Sequence, residues 1–206
     1  DGVSFWTATN IYVTPTTLSG ITMNFLLSLA GGLLAGYWIS KGDPFWTYSG
    51  GLAGIIAASA GNDLYHPMQS LIIAGVGTAI AYKLHYWVER KFKIDDAVGA
   101  VAVHGYAGVV GLIICGFVLW GYPSSGYGVG SMWVGTDYAP INPLGMFIGA
   151  IIMFGVLGFL PGWILAKILH GAGKLRIPRD VELAGLDYNI MEQAQKDERA
   201  VASSNR

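Results

Sequence analysis

Charge is missing from this chain in a pattern, and that pattern limits its fold more than any other feature. No Asp, Glu, Lys or Arg occurs in residues 2–40, 44–62, 64–82, 97–136 or 138–166. A helix crossing the hydrocarbon core of a bilayer satisfies its own backbone and needs about 20 mostly apolar residues. Each gap holds such a run, and the first has room for part of another at its start. A surface helix of a water-soluble domain needs a polar face, and these runs have none. Only 12% of the residues are charged, about half the usual share of a soluble domain. The chain therefore reads as an all-α polytopic membrane protein. No phosphate-binding glycine loop, nucleophile elbow or paired carboxylates on one helix face marks it as an enzyme, and no basic patch suited to nucleic acid is present.

Five full spans are expected at 17–40, 45–62, 67–90, 97–120 and 141–170. Residues 1–171 form the membrane part, and 172–206 form a polar tail. Residues 1–14 read as the end of an earlier span or a re-entrant piece that Pro15 interrupts. The chain opens on Asp1 rather than Met, which suggests that something precedes it. Its start lacks the basic segment of a signal peptide.

The basic residues set the orientation. Lys41, the cluster Arg90, Lys91 and Lys93, and the tail cations fall on one side of the five spans. The other side carries 62–67 and the long Gly/Tyr/Ser linker 121–143, neither with Lys or Arg. The bias of Lys and Arg toward the inner face makes the tail cytoplasmic in a plasma membrane, and Lys83 can snorkel toward the basic end. Tyr37, Trp38, Phe45, Trp46, Tyr86, Trp87, Trp120 and Tyr122 lie near the expected interfaces and read as an aromatic belt.

Glycine occurs 30 times. Gly32 and Gly36, Gly145 and Gly149, and Gly158 and Gly162 are each four apart, the spacing that lets helices approach closely in lipid. The single cysteine, Cys115, reads as a small buried apolar residue.

One ionisable group breaks the apolar pattern. His104 sits seven residues into 97–120, and a regular helix puts Ala100, Val101, Ala107, Gly108 and Gly111 on its face. Two readings are open: an interhelical hydrogen bond that holds the bundle, or a group lining a narrow path. A path with these walls is hostile to a bare cation, because removing a charge from water costs several kcal/mol or more. A small neutral molecule that can hydrogen-bond an imidazole suits it. A lone histidine without Cys or carboxylate neighbours lacks the ligands for a metal, and no cofactor is implied. Asp95 and Asp96 directly precede the helix and suit its N-cap. His66, His85 and His170 fall near span ends and are expected at wet interfaces.

KIDDAVGAVAVHGYAGVVGLI (93–113) resembles the D-D-x-x-x-x-x-x-V-H-G-x-x-G-x-x-G segment of the ammonium transporter family (Amt/Mep/Rh). SGGLAGIIAASAG (49–61) is similar to the family's G-A-L-A-G-L-V span, Asn24 falls where the preceding span has an Asn, and LRIPRDVELAGLD (175–187) resembles its cytoplasmic tail. The resemblance covers essentially the whole chain but only the second, inverted-repeat half of a family member. It implies a homotrimer in the lipid bilayer, each protomer with its own pore for ammonium and ammonia. His104 matches the second of a twin-His pair midway through that pore, beside Leu52 and Ala100. Ammonium would be deprotonated outside and ammonia passed through. Counting back from Asn24 puts Trp6 and Asn10 at the external ammonium site. The partner histidine belongs to the N-terminal half, in a separate chain or elsewhere in the same gene. Many members continue G-L-D into a segment containing H-G-E, the tail on which a PII-type regulator docks. Here the tail reads YNIMEQA, with Met191 at the histidine position.

Two other readings stay open beside transport. One is an ammonium sensor that signals through its tail. The other is a structural subunit of a membrane complex, in which His104 only bonds a neighbouring helix.

Overall fold

A computed structural model describes residues 16–122, 140–185, 191–193 and 196. The segment before Pro15, with Trp6 and Asn10, lies outside the described residues, as does most of the 121–143 linker. The long elements are helices α1 (Leu18–Ser40), α2 (Pro44–Ala58), α3 (Pro67–Phe92), α4 (Val101–Val118) and α5 (Pro143–Gly171). The protein is an all-α, multi-pass membrane protein. α1, α3, α4 and α5 are each long and apolar enough to cross a membrane. α2 is shorter than the expected 45–62, because the chain tightens into a 3-10 turn over Ser59–Gly61. Together they rise about 28 Å, close to the hydrocarbon thickness of about 30 Å.

The helices start where the sequence offers caps. Asp43, His66 and Asn142 are each followed by a proline at the first helical position, where a missing N–H costs nothing. The Trp46 N–H donates to Asp43 Oδ1 at 2.8 Å, and the Gly145 N–H to Asn142 Oδ1 at 2.7 Å. The Met68 N–H donates to His66 Nδ1, and Gln69 Oε1 accepts the His66 N–H. His66 is thus an exposed helix cap.

Two compact units divide the chain, Asp1–Gly155 and Val156–Arg206. The division falls inside α5 and not at 171, where the apolar sequence ends; no residue of α5 beyond Ala150 is buried. The second unit adds a short helix, Arg179–Ala184, an ion pair of Arg176 with Glu182, and Lys167 over the Trp163 ring at 5.4 Å.

In the first unit α1, α2 and α3 pack on one another, α4 lies against α2 and α3, and the start of α5 lies on α4. Contact between α1 and α2 is backbone on backbone. A Cβ on Gly32 would strike the Gly50 carbonyl, one on Gly36 the Trp46 carbonyl, and one on Gly54 would lie 2.7 Å from Gly32 Cα. The expected pair Gly32 and Gly36 is therefore a packing surface. Gly149 and Gly162 meet nothing within 4 Å among the described residues; four-residue spacing creates a contact only where a second helix arrives.

A buried polar group ties the crossing to the turn before α3. The Asn24 amide donates to the carbonyls of Asn62 and Tyr65, both at 2.8 Å. The Ser28 hydroxyl donates to the Asn24 carbonyl at 2.7 Å, and Ser70 donates to Asn62 Oδ1 at 3.3 Å. Cys115 is fully buried, its sulfur 3.5 Å from the Ala60 carbonyl.

Gly32→Ala is expected to destabilise the fold by about 1–3 kcal/mol, the usual cost of overpacking. Gly149→Ala is expected to leave stability unchanged. Thermal unfolding of the two variants in detergent, followed by tryptophan fluorescence, checks both.

Candidate functional site

The seam between α2 and α4 positions the histidine. Ala53 and Ala57 of α2 pack with Val103 and Ala107 of α4 and Ala81 of α3 in one buried cluster. Further along, a Cβ on Gly108 would lie 3.6 Å from Ile56 Cγ2, and one on Gly111 would strike Ala57. Later residues of α4 thus meet later residues of α2, and the two helices run in the same direction. Val103 and Ala53 point into the seam. Their neighbours in sequence, His104 and Leu52, emerge at its rim.

His104 is exposed, as are Ala100, Val101 (50%) and Leu52 (56%). The three residues that the resemblance assigns to the pore, Leu52, Ala100 and His104, are thus each exposed. His104 makes no hydrogen bond among the described residues.

α4 does not begin as a regular helix. Val101–Tyr106 is a π-helical turn, closed by the Ala107 N–H donating to the Ala102 carbonyl. Such wide turns are frequent at functional sites. The turn corrects the face expected for His104. Ala107, Gly108 and Gly111 are buried while His104 is exposed, because a turn with more residues rotates the histidine away from the α-helical register. Gly108 instead receives the Phe154 ring, and Gly111 the α2 backbone.

Only one of the two aspartates caps this turn. Asp96 Oδ1 accepts the Val101 N–H at 3.2 Å, and Oδ2 accepts the Ala102 N–H at 3.0 Å. Asp95 is exposed and lines an open cleft with Glu89, Arg90 and Lys93. Between cap and turn, Gly99 adopts a φ of 65°, a left-handed conformation that favours glycine.

Two residues read as interfacial pack against each other within the bundle. Trp46 is 2% exposed, and its indole N–H donates to the Tyr86 hydroxyl at 2.9 Å. His85 is half-buried beside it: its side chain is 10% exposed, its ring lies 5.1 Å from Trp46 and 5.0 Å from Tyr86, and its Nδ1 is 3.5 Å from Asp96 Oδ2. Sequence reasoning missed this cluster because its members come from α2, α3 and the α4 cap. The spacing of His85 and Tyr86 from Trp46 carries no signal. Among the described residues no group of three His, Cys, Asp or Glu side chains could hold a metal.

An exposed imidazole in an apolar wall can accept or donate one hydrogen bond to a small uncharged molecule and can hold a proton. The exposed residues named with it, Leu52, Ala100 and Val101, carry no charge.

The profile of the Ammonium Transporter Family matches residues 2–196. An ammonium transporter of Methanocaldococcus jannaschii is 29% identical over 178 residues, covering 85% of this chain and 41% of that protein. A second ammonium transporter of that organism is 36% identical over 165 residues, covering 78% of this chain and 35% of its own length. The ammonium transporter of Corynebacterium glutamicum is 26% identical over 176 residues, covering 82% of this chain and 37% of its own. The chain thus spans about two fifths of the length of these curated relatives. No solved structure matches it.

The capping geometry separates the two aspartates. Asp96→Ala is expected to cost about 0.5–2 kcal/mol, the usual loss for an N-cap, and Asp95→Ala to cost nothing measurable. Thermal unfolding of both variants in the same detergent checks the difference.

Proposed function

This chain belongs to the ammonium transporter family, and we propose that it supplies one half of a pore for ammonium and ammonia, with His104 in the conduction path. The observation that carries the reading is the placement of His104. Its imidazole makes no hydrogen bond among the described residues and is exposed, as are Leu52 and Ala100, in a segment otherwise built to be buried in lipid. A titratable group left open on such a surface points to a path or a partner.

The chemistry follows from the wall. An ammonium ion entering it would lose its hydration without gaining a counter-charge, at a cost of several kcal/mol or more. Ammonia loses far less, and its lone pair accepts an N–H from an imidazole. Ammonium therefore gives up its proton before it enters, at an external site to which the resemblance assigns Trp6 and Asn10, and ammonia crosses. A second imidazole from the N-terminal half faces His104 and completes the twin-His pair, through which the proton passes separately. That half also covers the apolar surface around Leu52 and Ala100. The assembly is a homotrimer in the cell membrane with the 172–206 tail in the cytoplasm. With Met191 in place of the tail histidine, a PII-type regulator has lost one of its contacts.

His104→Ala in proteoliposomes is expected to lower ammonium-driven current at least tenfold while leaving the protein folded. Unchanged rate, selectivity and current would remove His104 from the path. The intact mass of the purified particle checks the partner: a second segment of comparable size, bearing its own intramembrane histidine, is expected.

A further inference from the structure

His85 lies outside the transport surface, and the proposed function makes no use of it. It is a half-buried imidazole held on two sides by rings, in edge-on contact with Trp46 and Tyr86. Those rings are themselves fixed. The Trp46 indole N–H is bonded to the Tyr86 hydroxyl, and the Trp46 backbone N–H is bonded to Asp43. The imidazole therefore has little freedom to turn. Its Nδ1 is buried without a hydrogen-bond partner among the described residues, an arrangement that costs free energy unless a partner lies within reach. The group it faces, at 3.5 Å, is Asp96 Oδ2. A carboxylate only accepts, so a hydrogen bond between the two requires the proton on Nδ1.

That same oxygen accepts the Ala102 N–H, and the other carboxylate oxygen accepts the Val101 N–H. These two N–H groups begin the π turn that carries His104. Neighbouring groups thus run from the α2–α3 aromatic cage, through His85 at 3.5 Å from the carboxylate, and on to the first hydrogen bonds of the turn. A carboxylate held only by two backbone N–H groups can pivot. One held from the far side by a caged N–H cannot pivot without breaking a buried contact.

We propose that His85 is a positioning residue for His104: its Nδ1–H fixes the Asp96 carboxylate, and the carboxylate fixes the wide turn that sets the direction of the His104 side chain. The transport consequence rests on the function proposed above; the structural one does not.

Hydrogen–deuterium exchange of the 97–106 segment, with the purified protein in lipid nanodiscs, tests the structural consequence directly. His85→Phe keeps the ring in its cage and removes the donor. Exchange in 97–106 is expected to rise at least tenfold, with α1 and the rest of α3 unchanged. His85→Asn carries an N–H near the Nδ1 position and is expected to restore most of the protection. Should the phenylalanine variant fail to fold, His85→Gln, which moves the donor to the far ring position, is expected to give the same rise. Unchanged exchange in the donor-free variant overturns the proposal, and so does an asparagine variant exchanging as fast as the phenylalanine one. In proteoliposomes the phenylalanine variant is expected to lose turnover several-fold at an unchanged half-saturating ammonium concentration, and the asparagine variant to recover it. A parent protein that moves no ammonium would refute the transport reading, while the exchange measurement would still decide the role of His85.

Discussion

The α1–α2 crossing leaves no room for side chains. Gly32, Gly36, Gly50 and Gly54 bring the two backbones together so closely that a single methyl group on Gly32 would meet a carbonyl oxygen. In lipid, hydrophobic transfer gives helices no reason to associate, and contact area and interhelical hydrogen bonds must supply one. Glycine provides the area, and the Asn24, Ser28, Asn62 and Ser70 group provides the hydrogen bonds. With α1 and α2 locked in this way, α2 presents Ala53 and Ala57 outward as a shallow groove. α4 fills the groove with Val103, Ala107 and Gly111. The height and azimuth of His104 are consequences of that seating.

The start of α4 shows how backbone geometry can outrank periodicity. A regular helix would align His104 with Gly108. The π turn breaks that alignment, so Gly108 is buried while the histidine is exposed. The turn exists between a capping carboxylate, a left-handed glycine at 99 and a packed α-helix, each of which limits how it can rewind. A second wide segment, Ile151–Phe159 in α5, ends two residues before Pro161. A proline removes one donor from the ladder, and a shift in hydrogen-bond register accommodates the loss.

Several polar side chains among the described residues hold backbone ends together. Asp43, His66, Asp96 and Asn142 cap helices, and Asn24 spans a loop. His104 caps nothing and bonds nothing among the described residues. That contrast, more than its titratability, separates it from the other intramembrane polar side chains.

Much of the fold was legible in the sequence because it follows from solvent physics. A charge-free run of sufficient length must become a helix in lipid, so α1–α5 could be located to within a few residues, four of them long and apolar enough to cross a membrane, and D-D with V-H-G marked the segment with the histidine. Asp43-Pro44, His66-Pro67 and Asn142-Pro143 announce helix starts locally. What lay beyond reach depends on meetings between distant segments. Spacing proposed three glycine pairs, but only the arrival of α2 makes Gly32 and Gly36 a contact. Composition put Trp46 and His85 at the membrane surface, and only the packing of α2 against α3 brings them together. Adjacency made Asp95 and Asp96 equal candidates for the cap, and the direction in which α4 leaves its turn selects Asp96. The sequence by itself determined which segments enter the membrane, because that is a transfer free energy summed along the chain. Which residues then face one another was decided only by the tertiary structure, because close packing and buried hydrogen bonds depend on the full three-dimensional arrangement.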